Sequence, residues 1–383
     1  MTLADSVRTA VAAVVDPELR RPLGELEMVK SVTADAGHAA VEIALTIAGC
    51  PAADRIERDV REAAVSVEGV SDVDVHIGVM TAAERAALTE KLRNGRPART
   101  MPFTADSLTR VVAVTSGKGG VGKSTVTAML AVALADQGLR VGLIDADVHG
   151  FSIPALMGLI AADGTVPSPT RIDDLMIPPV AHGVKVISIG MFLQRSGSDA
   201  VRGAVAWRGP MLHRTVQQFL TDVHFGDLDI LLLDMPPGTG DIAISVGQLL
   251  PHAEVVVVTT PQRSASEVAV RSGLVARQTG QRVLGVIENM GPMTLPDGTT
   301  LEVFGSGGGR EVAAALHTDD EPVPVLGSIP LSPPLRADAD QGLSTLRAHP
   351  DDPAAVALRS IATRIIGVPR GLAGRSLPLG IRS

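Results

Sequence analysis

The chain has 383 residues, long enough for two domains, and its 45% hydrophobic content and mean hydropathy of +0.26 exclude wholesale disorder. A net charge of −8 argues against a broadly basic nucleic-acid surface, and a single cysteine excludes an internal disulfide framework. No apolar run reaches the ~18 residues of a membrane span. We therefore expect a cytoplasmic protein that binds neither nucleic acid nor a membrane.

Residues 1–92 predict a small α+β domain. Its segment VSDVDVHIGV alternates apolar and polar residues, as a half-buried strand does. The other expected elements are a helix from about Leu3 to Val15, a strand around Val32, a strand over Ala40–Thr46 and a helix that Cys50 and Pro51 open and that ends near Ser66. Residues 93–109 mix Gly, Pro and charge without a period, which indicates a linker.

Residues 110–368 predict a doubly wound α/β domain with a mostly parallel sheet. Short apolar runs alternate there with helical stretches, as in a sheet that is buried on both faces. These runs are VVAVT, VGLID, VKVISIG, DILLLD, EVVVVTT, RVLGVIEN and VPVLGSI. A ligand of such a sheet binds beyond the C-terminal ends of its strands. Residues 369–383 are expected to form a flexible tail.

The segment TSGKGGVGKST matches the phosphate-binding P-loop, and it lies between a predicted strand and a predicted helix. Its glycines let successive N–H groups point into one concavity, and the helix N-terminus adds positive charge. Lys123 is expected to reach the β- and γ-phosphates of ATP, and the Ser124 hydroxyl to bind Mg²⁺. The residues predicted to bind the nucleotide here are Gly117, Lys118, Gly119, Gly120, Val121, Gly122, Lys123, Ser124 and Thr125.

Two aspartates follow hydrophobic strands where a P-loop site needs them. Asp234 ends DILLLD, the usual place of a carboxylate that anchors Mg²⁺ through water. Asp147 follows VGLID and is a candidate for orienting the attacking water, as well as for contacting Mg²⁺. A solvated strand-end carboxylate or a helix cap is the alternative for either. His149 is expected to be a loop residue rather than a metal ligand.

KGGVGKST, with its early lysine, resembles the deviant P-loop of the SIMIBI-class ATPases, which include the MinD and ParA proteins and the Mrp/ApbC iron–sulfur cluster carriers. In that class the early lysine reaches the partner's phosphates across a nucleotide-sandwich dimer. The resemblance therefore implies a homodimer in which Lys118 acts as a catalytic cation in trans, together with Asp147 and Asp234. A solvated surface lysine is the alternative for Lys118.

Further stretches resemble the Mrp/ApbC subfamily over nearly all of residues 110–365. They are DADVHGFSIP, WRGPMLHRTVQQFLTDV, DMPPGTGD, TTPQ, ENMG, FGSGGG and IPLSPPLR. The resemblance implies slow ATP hydrolysis coupled to iron–sulfur cluster delivery, with apo iron–sulfur proteins or cluster assembly factors as partners. It also implies that Asn289 lies near the adenine base, although a structural turn residue is the alternative.

The chain departs from this subfamily where most members carry Cys-x-x-Cys, between ENM and FG. Here the segment reads NMGPMTLPDGTTLEVFG, and Leu295–Gly298 predicts the tip of a hairpin instead. Fe–S clusters are normally held by four thiolates, so a bound cluster stays open. The stretch around Cys50 resembles the small SufT-like domain of assembly factors. A helix N-terminus there is expected to lower the pKa of Cys50, which makes it the candidate cluster ligand or reactive thiol; a half-buried small residue is the alternative.

Two other functions remain open at this point. The missing cysteine pair allows a nucleotide-gated scaffold that orders a dimer for another assembly factor and carries no cluster itself. A MinD/ParA-like positioning ATPase is the third hypothesis. Such proteins use a basic amphipathic tail or a basic DNA patch, whereas this tail is interrupted by Pro and Gly and the chain is acidic.

Overall fold

The computed structural model describes residues 2–47, 50, 52–95, 97, 99–148, 150–192 and 209–369. His149, the beginning of the WRGPML stretch and the predicted tail from residue 370 onward lie outside the described residues.

The N-terminal part is a three-stranded sheet with helices packed against it. Its elements are α1 (Leu3–Ala12), β1 (Val29–Asp35), β2 (His38–Leu45), α2 (Ala53–Val65), β3 (Asp72–Val79) and α3 (Ala82–Arg93). The order is β1-β2-β3, with β1 antiparallel and β3 parallel to β2. Ala39, Val41 and Ile43 of β2 are fully buried while the residues between them are not, which is the alternation of a sheet with one covered face.

The predicted helices and strands of this part are confirmed, with differences at their ends. Helix α1 ends at Ala12, three residues before the expected end. Helix α3 was not predicted; it begins with a capping box in which Thr81 and Glu84 exchange hydrogen bonds. It runs one residue into the expected linker, and Phe103 of that linker is buried against Phe225. The division into residues 1–92, 93–109, 110–368 and 369–383 stays a prediction.

The larger part is an α/β fold around an eight-stranded sheet. Its elements are β4 (Arg110–Ser116), α4 (Lys123–Asp136), β5 (Val141–Asp145), α5 (Ile153–Leu156), β6 (Thr170–Ile172), β7 (Leu175–Ile177), β8 (Val180–Ala181), β9 (Val184–Ser188), α6 (Gly209–Thr221), β10 (Ile230–Asp234), α7 (Asp241–Leu249), β11 (Glu254–Thr259), α8 (Arg263–Gln278), β12 (Arg282–Gly291), β13 (Met293–Thr294), β14 (Thr300–Leu301), α9 (Gly308–Leu316), β15 (Val325–Pro330), α10 (Pro333–Asp340), α11 (Thr345–Ala348) and α12 (Pro353–Gly367).

The strand order is β15-β12-β11-β4-β10-β5-β9-β8. All neighbours are parallel except β8 and β9, so the seven predicted strands and the mostly parallel sheet are confirmed. Every residue of β4, β5, β9, β10 and β11 is buried, as expected for strands covered on both faces. In the register, Asp234 stands beside Val114 on one side and Asp145 on the other, so the chain segments that follow these strands meet at one edge.

The two sheets are joined by the hairpin β6–β7. Its residues Ile172, Leu175 and Ile177 are buried in the same apolar cluster as the core of the N-terminal part. Polar contacts surround this cluster: Thr170 Oγ1 donates to the Glu18 carboxylate at 3.2 Å, and the Arg20 guanidinium donates to the Gly183 carbonyl at 2.8 Å. The N-terminal part is therefore docked on the larger one through the hairpin.

Within the part of the chain that the structure describes, no helix combines the length and the apolar character needed to cross a bilayer.

Candidate nucleotide site

The loop between β4 and α4 has the backbone of a phosphate cradle. Gly120 and Gly122 take φ values of 80° and 77°, the left-handed region that side chains disfavour. Gly122 is required for a second reason, because a Cβ there would lie 2.3 Å from the Asn289 amide nitrogen. Helix α4 begins directly after it at Lys123, so the helix N-terminus faces the concavity of the loop.

Three side chains at the start of α4 converge on Asp234, whose side chain is completely buried. The Lys123 ammonium lies 2.7 Å from Asp234 Oδ1, and the Ser124 hydroxyl donates to Oδ2 at 2.6 Å. Thr127, one turn along the helix, donates to Oδ1 at 2.9 Å. The end of β10 and the start of α4 are thereby joined beneath the loop.

A second buried carboxylate, Asp145, stands beside Asp234 in the neighbouring strand. Burial raises the pKa of Asp145, and the nearby Asp234 charge acts in the same direction. Burial also raises the pKa of Asp234, although Lys123 and the two hydroxyls oppose the shift. Two carboxylates in a dry setting with one cation beside them favour a further positive charge at this edge of the sheet.

These residues fit Mg²⁺, because hydroxyl and carboxylate oxygens are the ligands that this ion takes in proteins. Ser124 and Asp234 already lie within hydrogen-bond distance of each other at the loop. Asp147 is placed in the segment after β5, where its N–H donates to Asp145 Oδ1 at 3.1 Å and its Oδ1 accepts from the Gly150 N–H at 3.0 Å. These two hydrogen bonds are local and do not join Asp147 to Ser124 or Asp234.

A model of the NUBPL iron-transfer P-loop NTPases matches residues 107–366, more than half of the chain, and a model of iron–sulfur cluster assembly proteins matches residues 4–77. The chain belongs to the NUBPL iron-transfer P-loop NTPase family. Its relatives agree: it is 53% identical to the iron–sulfur cluster carrier protein of Mycobacterium bovis over 98% of this chain and 96% of that one. It is 41% identical to the protein of the same name from Deinococcus radiodurans over 95% of each.

Among solved structures, a nucleotide-binding protein in complex with ADP from Archaeoglobus fulgidus is 34% identical. The match covers 63% of this chain and 89% of that chain at a TM-score of 0.47.

The early lysine of the P-loop lies against its own chain in the structure of this NTPase. Lys118 Nζ donates to the Ser264 hydroxyl near the start of α8 at 3.2 Å, and the side chain is partly exposed. Its backbone carbonyl accepts from the Ser116 hydroxyl at 3.1 Å. The trans role of Lys118 stays a prediction.

Asn289 is a support of the P-loop in this NTPase. Its side-chain amide donates to the Val121 carbonyl at 2.9 Å, and the residue is 6% exposed. The predicted position of Asn289 near the adenine base stays a prediction.

Thr127 was not predicted from the sequence. It follows Ser124 by three residues and shares its helix face, which is the signal that could have found it.

Cys50, the single thiol of this family member, is buried in the N-terminal part. The expectation that a helix N-terminus lowers its pKa is wrong. The N–H groups of Ala52 and Ala53 do act in that direction, but burial outweighs them and raises the pKa of Cys50 to about 11, with Glu18 and Asp16 adding to the rise. The thiol form therefore dominates at neutral pH in this conformation.

The segment between ENM and FG, where the sequence lacks a Cys-x-x-Cys, forms a hairpin of β13 and β14. The Leu295 N–H donates to the Thr299 carbonyl at 2.9 Å and the Gly298 N–H to the Leu295 carbonyl at 2.9 Å, so the predicted tip at Leu295–Gly298 is confirmed. Among the residues that the structure describes, no group of three His, Cys, Asp or Glu side chains is placed to hold a metal ion.

Proposed function

We propose that this NTPase binds ATP with Mg²⁺ and hydrolyses it to ADP and phosphate. The observation that carries the proposal is the convergence of Lys123, Ser124 and Thr127 on the buried Asp234 directly beneath a glycine-rich loop. Mg²⁺ at Ser124, with Asp234 and Asp147 nearby, would neutralise charge on the phosphate oxygens.

The remaining roles are part of the same proposal. The N–H groups of residues 117–125 and the start of α4 bind the phosphates, and Lys123 donates to the β- and γ-phosphate oxygens. Asp147 orients the attacking water and accepts its proton. Lys118 leaves Ser264 and reaches the phosphates of a partner subunit, so the active form is a homodimer. The two glycines at 238 and 240 flank the site and leave the backbone free to rearrange.

We further propose that ATP turnover by this protein serves iron–sulfur clusters as cargo, passed to apo iron–sulfur proteins or cluster assembly factors. The family and the names of the relatives support this role. The chain does not fit a cluster held by itself alone, since one cysteine per subunit gives two thiolates per dimer where four are usual. A partner protein, glutathione or non-cysteine ligands would complete the shell, and Cys50 is the candidate ligand on this chain. A reducing cytoplasm suits a chain of this composition.

A nucleotide-gated scaffold without cargo is the second candidate. The burial of Cys50 and its raised pKa favour it, because a buried neutral thiol is a poor ligand for a cluster.

Anaerobic reconstitution with iron and sulfide separates the two candidates. For a carrier, cluster absorbance appears in the protein with a small thiol, is lost in Cys50→Ser, and transfers to an apo-acceptor. For a scaffold, both proteins stay colourless while ATP hydrolysis persists. The ATPase proposal is tested independently: phosphate release must exceed that of Lys123→Ala, and equal rates would reject it.

A further inference from the structure

The end of β12 carries two adjacent buried side chains that form hydrogen bonds with different parts of the protein. Glu288 and Asn289 are each 6% exposed. Asn289 donates to the Val121 carbonyl of the P-loop, whereas the Glu288 carboxylate faces other elements. The alternation of side chains along a strand explains this division.

Backbone pairing stops where Asn289 begins. The ladder with β11 ends at the pair Glu288–Thr259, and the ladder with β15 is interrupted after Glu288 and resumes only at Gly291. Within the interrupted stretch between Glu288 and Gly291, Met290 takes a left-handed φ of 56°. Asn289 is therefore held by no regular ladder, and Glu288 is the last residue before it that both neighbouring strands fix.

The Glu288 side chain supplies the anchor that the ladders lack. Its Oε2 accepts from the Gly309 N–H in the first turn of α9 at 2.8 Å, and its Oε1 accepts from the Ser328 hydroxyl of β15 at 2.9 Å. A carboxylate at a helix N-terminus also meets the positive end of the helix. The fit is close, since a Cβ on Gly309 would lie 2.8 Å from Glu288 Cβ.

We propose that Glu288 is a positioning residue of the nucleotide site: by tying the end of β12 to α9 and β15, it holds Asn289 against Val121 and so keeps the P-loop in its binding shape. The inference rests on the proposed nucleotide function. The carbonyl that Asn289 holds belongs to the loop around all the phosphates, so ADP and ATP depend on Glu288 equally. The loss therefore falls mainly on the KM for ATP, with a smaller loss of kcat.

The test is the affinity for ADP, measured by calorimetry on the full chain, and KM against kcat for ATP. Glu288→Ala leaves the Gly309 N–H without its partner and is expected to raise the Kd for ADP and the KM for ATP about tenfold. Glu288→Gln rescues, staying within about threefold of the wild type, because its amide accepts from Gly309 and donates to Ser328. Glu288→Asp, which is too short to reach both partners, repeats the loss and serves if the alanine variant does not fold.

A double variant distinguishes a positioning role of Glu288 from a general loss of stability. Asn289→Ala combined with Glu288→Ala is expected to bind ADP no more weakly than Asn289→Ala alone, because both changes remove the same support. Asp338→Ala is the matched control, since Asp338 is another buried carboxylate, bonded to His349 and placed in α10; it lowers stability without changing the Kd. Additive losses, or an unchanged Kd in Glu288→Ala and Glu288→Asp, overturn the inference alone. A wild-type protein that binds no ADP rejects the proposed function and the inference with it.

Discussion

Asp234 is the residue on which the site is built, and its surroundings show how the fold keeps a charged side chain buried. Among the residues that the structure describes, the Lys123 ammonium is the one cation paired with it, while Ser124 and Thr127 donate hydrogen bonds to it. Buried charges are tolerated when they are paired and hydrogen-bonded in this way. Lys123 therefore contributes to the stability of the fold as well as to the proposed phosphate site.

Lys123→Ala is expected to abolish ATP hydrolysis and to lower the free energy of unfolding by about 3 kcal/mol, because it leaves Asp234 buried without a counter-charge. The double variant Lys123→Ala with Asp234→Asn should regain part of that stability, since the amide is neutral, but none of the activity. Urea unfolding and phosphate release measure the two effects. A double variant no more stable than Lys123→Ala would show that the pair is not the cause.

Glu18, which contacts Thr170 of the hairpin, is expected to make the stability of the protein depend on pH. Burial, helped by Asp16, raises its pKa to about 7 from an ordinary 4.5, while Thr170 opposes the rise. The folded state therefore holds a proton that the unfolded state releases between these two values. Stability on this account falls as the pH rises from about 4.5 to 7 and is level above that.

Glu18→Gln is accordingly expected to raise the free energy of unfolding by about 2 kcal/mol at pH 8 and by little at pH 4.5. Glu25→Gln is the control: Arg21 lowers the pKa of this exposed carboxyl, so its replacement should give no gain at pH 8. Denaturant unfolding at the two pH values decides, and an equal gain for Glu18→Gln at both would contradict the linkage.

The residues of the site that could be predicted are those that belong to short, recognisable sequence motifs. Lys123, Ser124 and Asp234 follow apolar runs in a recognisable spacing, so their meeting could be expected. Glu288 gave no such signal, because its partners at Gly309 and Ser328 lie in other elements and only the folded chain brings them together. The pKa of Cys50 was misjudged for a related reason, since sequence shows a helix start but not the burial that outweighs it.

At the scale of elements, long apolar strands were predictable and short ones were not. The seven parallel strands show as uninterrupted Val, Ile and Leu runs, whereas β6, β7 and β8 have three, three and two residues and give no period to read. The hairpin β6–β7 nevertheless supplies three residues to the apolar cluster of the N-terminal part. The hairpin is important because of its packing contacts, which the sequence pattern does not predict.

Ile177→Ala in this hairpin is expected to cost about 2–4 kcal/mol, because Ile177 is 1% exposed within that cluster. In this variant, amide hydrogen exchange should accelerate in β2, more than a hundred residues away in sequence, as well as in the hairpin. Ile329→Ala, at a fully buried site in the larger core, is the control and should leave β2 protected. Unchanged exchange in β2 would mean that the hairpin is not what holds the N-terminal part.

At the scale of the whole molecule, the proposed trans role of Lys118 makes a prediction that one subunit alone cannot imitate. Lys118→Ala and Lys123→Ala should each be inactive as homodimers. In a mixed dimer the Lys118→Ala subunit keeps its own Lys123 and receives Lys118 from its partner, so one site of the two works.

Random mixing should therefore restore about a quarter of the wild-type rate of phosphate release. Lys118→Ala alone should still bind ATP, unlike Lys123→Ala. Absence of recovery in a mixture shown to exchange subunits would reject the trans assignment, and Lys118 would then serve its own chain.

The apolar cluster between the hairpin and the N-terminal part also bears on how the protein can be produced. A shortened protein that starts near residue 100 would retain the P-loop and the main sheet. It would, however, leave Ile172, Leu175 and Ile177 facing water on a two-stranded edge. Exposed aliphatic side chains in a cluster of this kind promote self-association. Such a truncation is expected to aggregate unless these three positions are made polar.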